Sequence, residues 1–250
     1  MKSFLFLFFI TLSSISFGQN KTDAQGRKQG AWEKKYPKSV VPQYKGQFKD
    51  DKPVGTFTYY YQSNKIQATI KHDPNSTRSG AVFYHESGIV LSKGIYQNMK
   101  KDSVWVNYAP SGRLSSTETF KNDLLNGKKI IYYLPEDLND KNQRVASVSN
   151  YVNGKMEGER IEYFESGAVK SKGVFKNNKK NGIWVTNHPN GNVMNTERYK
   201  EGVLHGWCTV KNEAGNETGR TYFYYGERLE GKKLEEKMKQ FKALGIDPNK

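Results

Sequence analysis

The feature that most constrains this chain is a 24-residue period. Gly158 to Asn181 reads GERIEYFESGAVKSKGVFKNNKKN, and Gly182 to His205 reads GIWVTNHPNGNVMNTERYKEGVLH. Each copy starts on Gly, runs through a short β-type segment to a turn (Ser166-Gly167, Asn190-Gly191), and leaves through a second segment ending on an aromatic (Phe175, Tyr199). Ser-Gly or Asn-Gly between such segments marks a hairpin, because glycine enters positive φ without a Cβ clash. One repeat is therefore expected to be one β-hairpin plus a polar connector.

Taking the turn as register, the period continues through Ser39, Asn64, Gly88, Gly112, Glu136, Gly167, Gly191 and Gly215. The steps are 25, 24, 24, 24, 31, 24 and 24, the long one reflecting a polar insertion around Asn139 to Arg144. Eight repeats are predicted, and a fixed period of this length points to a stacked array. Six residues before the turn stand Thr58, Val82, Val106, Ile130, Ile161, Val185 and Thr209. Four before it stand Tyr60, Tyr84, Tyr108, Tyr132 and Tyr163. The two columns differ by two positions, so they share a strand face. Stacking would make each column a ladder of like side chains, with the tyrosines as a structural ladder.

The recurring G-x-W/Φ-x-x-Y-x-x-S/N-G-x-Φ pattern, followed by an aromatic and an Asn/Lys/Gly connector, resembles the MORN repeat in its bacterial variant form. The resemblance covers roughly residues 30 to 231. Trp32, Trp105 and Trp184 match the family's strand tryptophan; Phe57 and Cys208 replace it, and Ala81, Lys129 and Arg160 depart from it. It implies an all-β, elongated, single-layer array of about eight stacked hairpins and no single biochemical activity. Family members serve as scaffolds, protein-binding modules and disputed lipid binders, and some bacterial variants carry an antitoxin-like (YwqK-type) label.

The flanks differ in character. MKSFLFLFFITLSSISFGQN has one early Lys, a short apolar core and small residues Ser16 and Gly18 before Gln19. That is the grammar of a signal peptide over 1–18, cleaved near Gly18/Gln19, with export to the periplasm or medium. The core is shorter than the roughly 20 residues a spanning helix needs; the alternative is an uncleaved anchor. Residues 19–229 form the expected repeat array and 230–250 a C-terminal amphipathic helix and tail. Leu234, Met238 and Phe241 fall at helical spacing, and Gly245 and Pro248 supply the stop. The helix is expected to cap the open edge of the last hairpin.

Composition fits a thin array: only 35% of residues are hydrophobic, yet 13% are aromatic. The single Cys208 permits no internal disulfide and no cysteine-based zinc site. The four histidines do not converge: His85 and His188 share a register but lie four repeats apart, roughly 40 Å at about 4.8 Å per strand. No catalytic motif is present, so catalytic, cofactor-binding and metal residues are expected to be none, and cofactors none. The net charge of +15 concentrates partly at Lys100, Lys101, Lys128, Lys129, Lys155, Lys179 and Lys180, at or beside connectors. They form the candidate interaction edge, either solvated turn lysines or a stripe for an anionic partner. The expected function is an exported, non-enzymatic protein-interaction or scaffold module with a protein partner. The alternatives are a binder of acidic lipid or glycan surfaces and an antitoxin-like inhibitor of a partner protein. Nucleic acid is not an expected partner of an exported chain.

Overall fold

The computed structural model describes residues 19–134, 136–137 and 140–249; the expected signal peptide lies outside the described residues. The chain is a continuous antiparallel meander from Lys21–Thr22 to Glu227–Leu229, followed by one α-helix, Gly231–Leu244. Strands pair with their neighbours in sequence, within repeats and between them, except that Val203–Leu204 and Gly206–Lys211 lie in line and both pair with Val193–Lys200; Val90–Gln97, for example, pairs with Lys100–Tyr108 across a repeat boundary. Eight hairpins in one open layer result, as the period predicts.

The turn chemistry corrects one detail of the sequence reading. The connectors are themselves the tightest turns, two residues long. Asn122-Asp123 has φ 51° and 68°, and Asn177-Asn178 has φ 50° and 67°. Positive φ at both positions defines the turn whose twist matches that of paired strands, and Asn and Asp tolerate it. The Ser/Asn-Gly ends are looser: at Ala109–Arg113, the Ala109 N–H donates to the Arg113 carbonyl and the Gly112 N–H to the Ala109 carbonyl, both at 2.8 Å. The connector between His72 and Arg78 is an exception, a longer loop closed by the Asp73 N–H on the Arg78 carbonyl at 3.0 Å.

The two sheet faces have different chemistry. One carries the β-branched column, and cross-strand pairs run Thr58–Thr69–Val82–Lys93–Val106–Thr117–Ile130 and onward. Tyr60, Tyr84, Tyr108, Tyr132 and Tyr163 share this face and are half-buried. The deep core is on the other face, one residue out of phase. Phe57, Trp105 and Trp184 are buried there, Trp105 with 1% of its surface exposed. Each ring lies on a glycine of the preceding strand: Phe57 on Gly46, Trp105 on Gly94, Trp184 on Gly173. A Cβ at any of these glycines would fall under 3.0 Å from the ring. An aromatic completes each stack edge-on: Phe48 with Phe57 at 5.0 Å, Tyr96 with Trp105 at 5.0 Å, and Phe175 with Trp184 at 5.1 Å. Covering 150–250 Å² of ring is worth roughly 4–6 kcal/mol before entropy losses.

The strand bends to seat each ring. Opposite Gly173, residues Asn181 to Val185 span a gap that Val174 to Lys172 cross in two steps, a bulge of two extra residues. Gly182 in this bulge has φ 71°, a conformation that costs glycine nothing.

The two ends of the sheet are closed unequally. At the N-terminal edge, Lys21–Thr22 pairs with Lys28 and Gln29. The Asn20 side chain then imitates a strand partner, donating to the Glu33 carbonyl (2.9 Å) and accepting from the Glu33 N–H (2.8 Å). At the other end, the helix packs Phe241, Leu234 and Met238 onto Tyr222, Leu229, Trp207 and Tyr224, side chains of the sheet's last strands. It therefore covers a face and leaves the expected edge open: Glu227–Leu229 pairs only with Tyr222–Tyr224, and Glu217–Arg220 stays exposed. Gly245 ends the helix at φ 63°, with the Ile246 N–H on the Phe241 carbonyl at 2.9 Å. The Tyr222 hydroxyl donates to the Pro248 carbonyl at 2.8 Å and ties down the tail.

A one-layer sheet has no interior away from its faces. The chain exposes 17,100 Å², against about 11,000 Å² expected for a compact protein of its mass. Small-angle scattering of the mature protein should give a radius of gyration well above the roughly 18 Å of a globule this long. A value near that figure would refute the extended array. The ring-on-glycine contact has its own test. Gly173→Ala should destabilise by about 1–3 kcal/mol through overpacking. Gly173→Ile combined with Trp184→Ala copies the natural Ile70–Ala81 pair and should cost less than the two single changes added together. Strict additivity in urea melts would show that the two positions do not share a volume.

Candidate interaction surface

The seven lysines of the sequence reading do not form one edge. Lys100, Lys155 and Lys179 begin strands next to two-residue turns and are exposed on the connector edge. Exposed Lys49, Lys52, Lys121 and Lys176 join them there; each stands singly at a strand end, so no lysine doublet marks it in the sequence. Among the described residues, none of these seven is ion-paired. Lys101 and Lys180 follow Lys100 and Lys179 by one residue, so they point to the opposite face of the sheet, the one that carries the buried rings. The Lys101 Nζ lies 4.4 Å from the centre of Trp105 and 5.0 Å from that of Phe120. Lys180 repeats this over Trp184 (4.4 Å) and Tyr199 (4.7 Å), and Lys28 over Trp32 (5.0 Å) and Phe48 (4.8 Å). Lys128 and Lys129 are inside the strand Leu124–Tyr132, because the connector before them is only two residues long. Lys128 is exposed, and Lys129 pairs with Glu118 at 2.7 Å.

The aromatic face is interrupted midway. Where other repeats place a ring and its glycine, the column runs Glu118–Lys129–Ser149–Arg160. Ser149 is 1% exposed. Asn107 donates to Ser116 Oγ (3.0 Å) and Glu118 (3.3 Å), Arg160 pairs with Glu162 (2.7 Å), and Ser171 donates to Glu162 (3.1 Å). The Arg160 guanidinium holds the Glu162 carboxyl below its ordinary value. This network satisfies its own members and so serves the fold.

The repeats are also cross-linked one residue past the tyrosine ladder, a column the sequence shows but whose role depends on pairing across repeats. Tyr36, Tyr61 and Tyr133 donate their hydroxyls to the carbonyls of Tyr60, Tyr84 and Tyr163, at 2.6, 2.8 and 2.6 Å. His188 does the same through Nε2 to the Lys211 carbonyl at 2.9 Å. His85 occupies this column too, and its buried Nε2 has no partner among the described residues. The histidines are thus distributed along the array. His72 meets Phe57 edge-on at 5.4 Å, and its Nδ1 and the Ser79 hydroxyl share a hydrogen bond at 2.9 Å; burial lowers its pKa. Cys208 fills the ring column half-buried, and burial pushes its thiol pKa up. Among the described residues, no group of three His, Cys, Asp or Glu side chains is placed to hold a metal ion, and no helix is long and apolar enough to cross a membrane.

What the arrangement offers is surface: an aromatic face, a β-branched face and a lysine edge, each repeated along the sheet. A search of curated proteins finds no match to the chain. The sequence model of the MORN repeat variant matches residues 156–177 and 180–201. Those segments coincide with the hairpins Lys155–Tyr163/Val169–Lys176 and Lys179–Asn187/Val193–Lys200, which include the Gly173–Trp184 stack. These two hairpins are MORN repeat variants, and the chain is a MORN-repeat protein.

Proposed function

We propose that this chain is an exported, non-enzymatic protein-interaction module that scaffolds a partner along its repeat sheet. The supporting observation is the open single layer, whose side chains recur by repeat along its length. Titratable groups spread in this way do not converge on one reacting atom, which an active site requires. A long repeated surface instead suits recognition of an extended partner. Capture from the native envelope, with cross-linking and mass spectrometry, should return a defined protein partner; repeated failure to enrich one would count against the module. Intact-mass measurement should find a chain starting at Gln19. A full-length species confined to the cytosol would remove export and favour the antitoxin-like inhibitor.

The connector edge favours a second reading, a binder of anionic envelope surfaces. Exposed lysines recur there at about 9.6 Å per repeat. Replacing Lys100, Lys155, Lys176 and Lys179 together with Gln should leave stability within about 0.5 kcal/mol per site. An anionic-surface binder would lose acidic vesicles on this change, and the wild type would release them as salt rises. Partner capture that survives both the substitution and salt is the expected result, and it would place recognition on the sheet faces.

A further inference from the structure

The lysines that cover the aromatic stacks follow a strict register. Lys101 is cross-strand from Tyr96, Lys180 from Phe175, and each ammonium rests over the two rings beyond. In the second repeat the same register position, cross-strand from Phe48, is Pro53. Its stack is otherwise complete: Phe57 on Gly46, with Phe48 and His72 edge-on. Pro53, Phe48, Phe57 and His72 line a hollow of about 430 Å³, with Tyr96 and Met99 among its other walls. The hollow therefore lies where the other stacks hold their lysine, and among the described residues no acidic or lysine side chain lines it.

A second observation marks the same place. Met99 is the second residue of a two-residue turn, at φ 62°, and 92% exposed. The equivalent turn positions elsewhere are Asp51, Asp123, Gly154, Asn178, Gly202 and Gly226. Those residues enter this conformation readily, whereas methionine does so against its Cβ. An exposed, flexible thioether held in a strained turn at an aromatic rim costs stability and suits a surface that closes over a partner.

We infer that the Phe48–Phe57–His72 hollow is a docking site for a lysine side chain of the partner protein, which completes in trans the stack that Lys28, Lys101 and Lys180 complete in cis. The inference deepens the interaction-module reading and rests on it. Three copies of the geometry within this chain select an ammonium 4.4–5.0 Å from ring centres, inside the range where ring faces attract a cation. Burial lowers the His72 pKa, which favours the uncharged ring in this wall.

The test uses the mature chain with ¹³C-methyl methionine, reading the Met99 methyl by NMR. Nα-acetyl-lysine methylamide should shift that signal saturably. Nα-acetyl-norleucine methylamide, the uncharged counterpart, should bind about fivefold or more weakly. Pro53→Lys should fill the site in cis and abolish the response while the other methionine signals stay in place. An equal response to norleucine would make the hollow an apolar pocket, and a response to methyl glucoside alone would make it a sugar platform; either overturns the proposal. Silence with every probe overturns it too, and leaves partner capture through other surfaces as a separate result. If Pro53→Lys fails to fold, the lysine-to-norleucine comparison on the wild type still decides.

Discussion

The structure depends on an aromatic ring lying flat on a glycine of the neighbouring strand. A single-layer sheet has no opposing layer to bury its side chains, so it must find burial within its own thickness. Removing one Cβ lets a Trp or Phe side chain lie across the next strand instead of standing upright in water. Phe57, Trp105 and Trp184 reach near-complete burial in this way in a chain that is only 35% hydrophobic. The bulge before each ring and the edge-on aromatic beside it are consequences: one supplies the bend, the other closes the open side.

The repeats that lack this pair show what it supplies. In the third repeat the sizes are exchanged, with Ile70 opposite a buried Ala81. In the fifth, volume gives way to charge, Glu118 opposite Lys129. Arg160 faces the buried Ser149 and turns to Glu162. Each substitution changes both members of a cross-strand pair, so the quantity maintained is the filling of a shared space. A half-buried ion pair contributes less than a buried ring, because desolvation offsets much of its attraction. The middle of the array is therefore held more by backbone pairing and by the Tyr133 bridge than by its core.

The array, its period and its terminal helix were legible in the sequence because glycine, asparagine and aspartate at fixed intervals report backbone conformation directly. The choice of face was not. Tyr108 and Trp105 are both large aromatics three positions apart, and an odd separation puts them on opposite sides of a strand; the more regular tyrosine column drew attention from the buried one. Gly94 and Gly173 stand at a constant six residues after the turn, yet their role is visible only once the partner strand is known. The position of the lysines was partly legible: Lys100, Lys155 and Lys179 do lie beside connectors, while Lys101 and Lys180 separate from them only because the connector is two residues long. Pro53 carries no signal alone and gains one only by comparison with Lys101 and Lys180 in register.

The unequal ends of the sheet limit how copies of this chain can meet. Edge-to-edge growth into a filament needs a head that joins a tail, each copy offering two complementary free edges. Here Asn20 and the two-residue strand Lys21–Thr22 cover part of the first long strand, and at the other end the three-residue strand Glu227–Leu229 covers only Tyr222–Tyr224, so Glu217–Arg220 stays exposed. Each end therefore offers a second copy only a short run of free backbone groups, and few hydrogen bonds to gain from it. A long sheet thus ends on both sides in stubs too short to template an extended pairing.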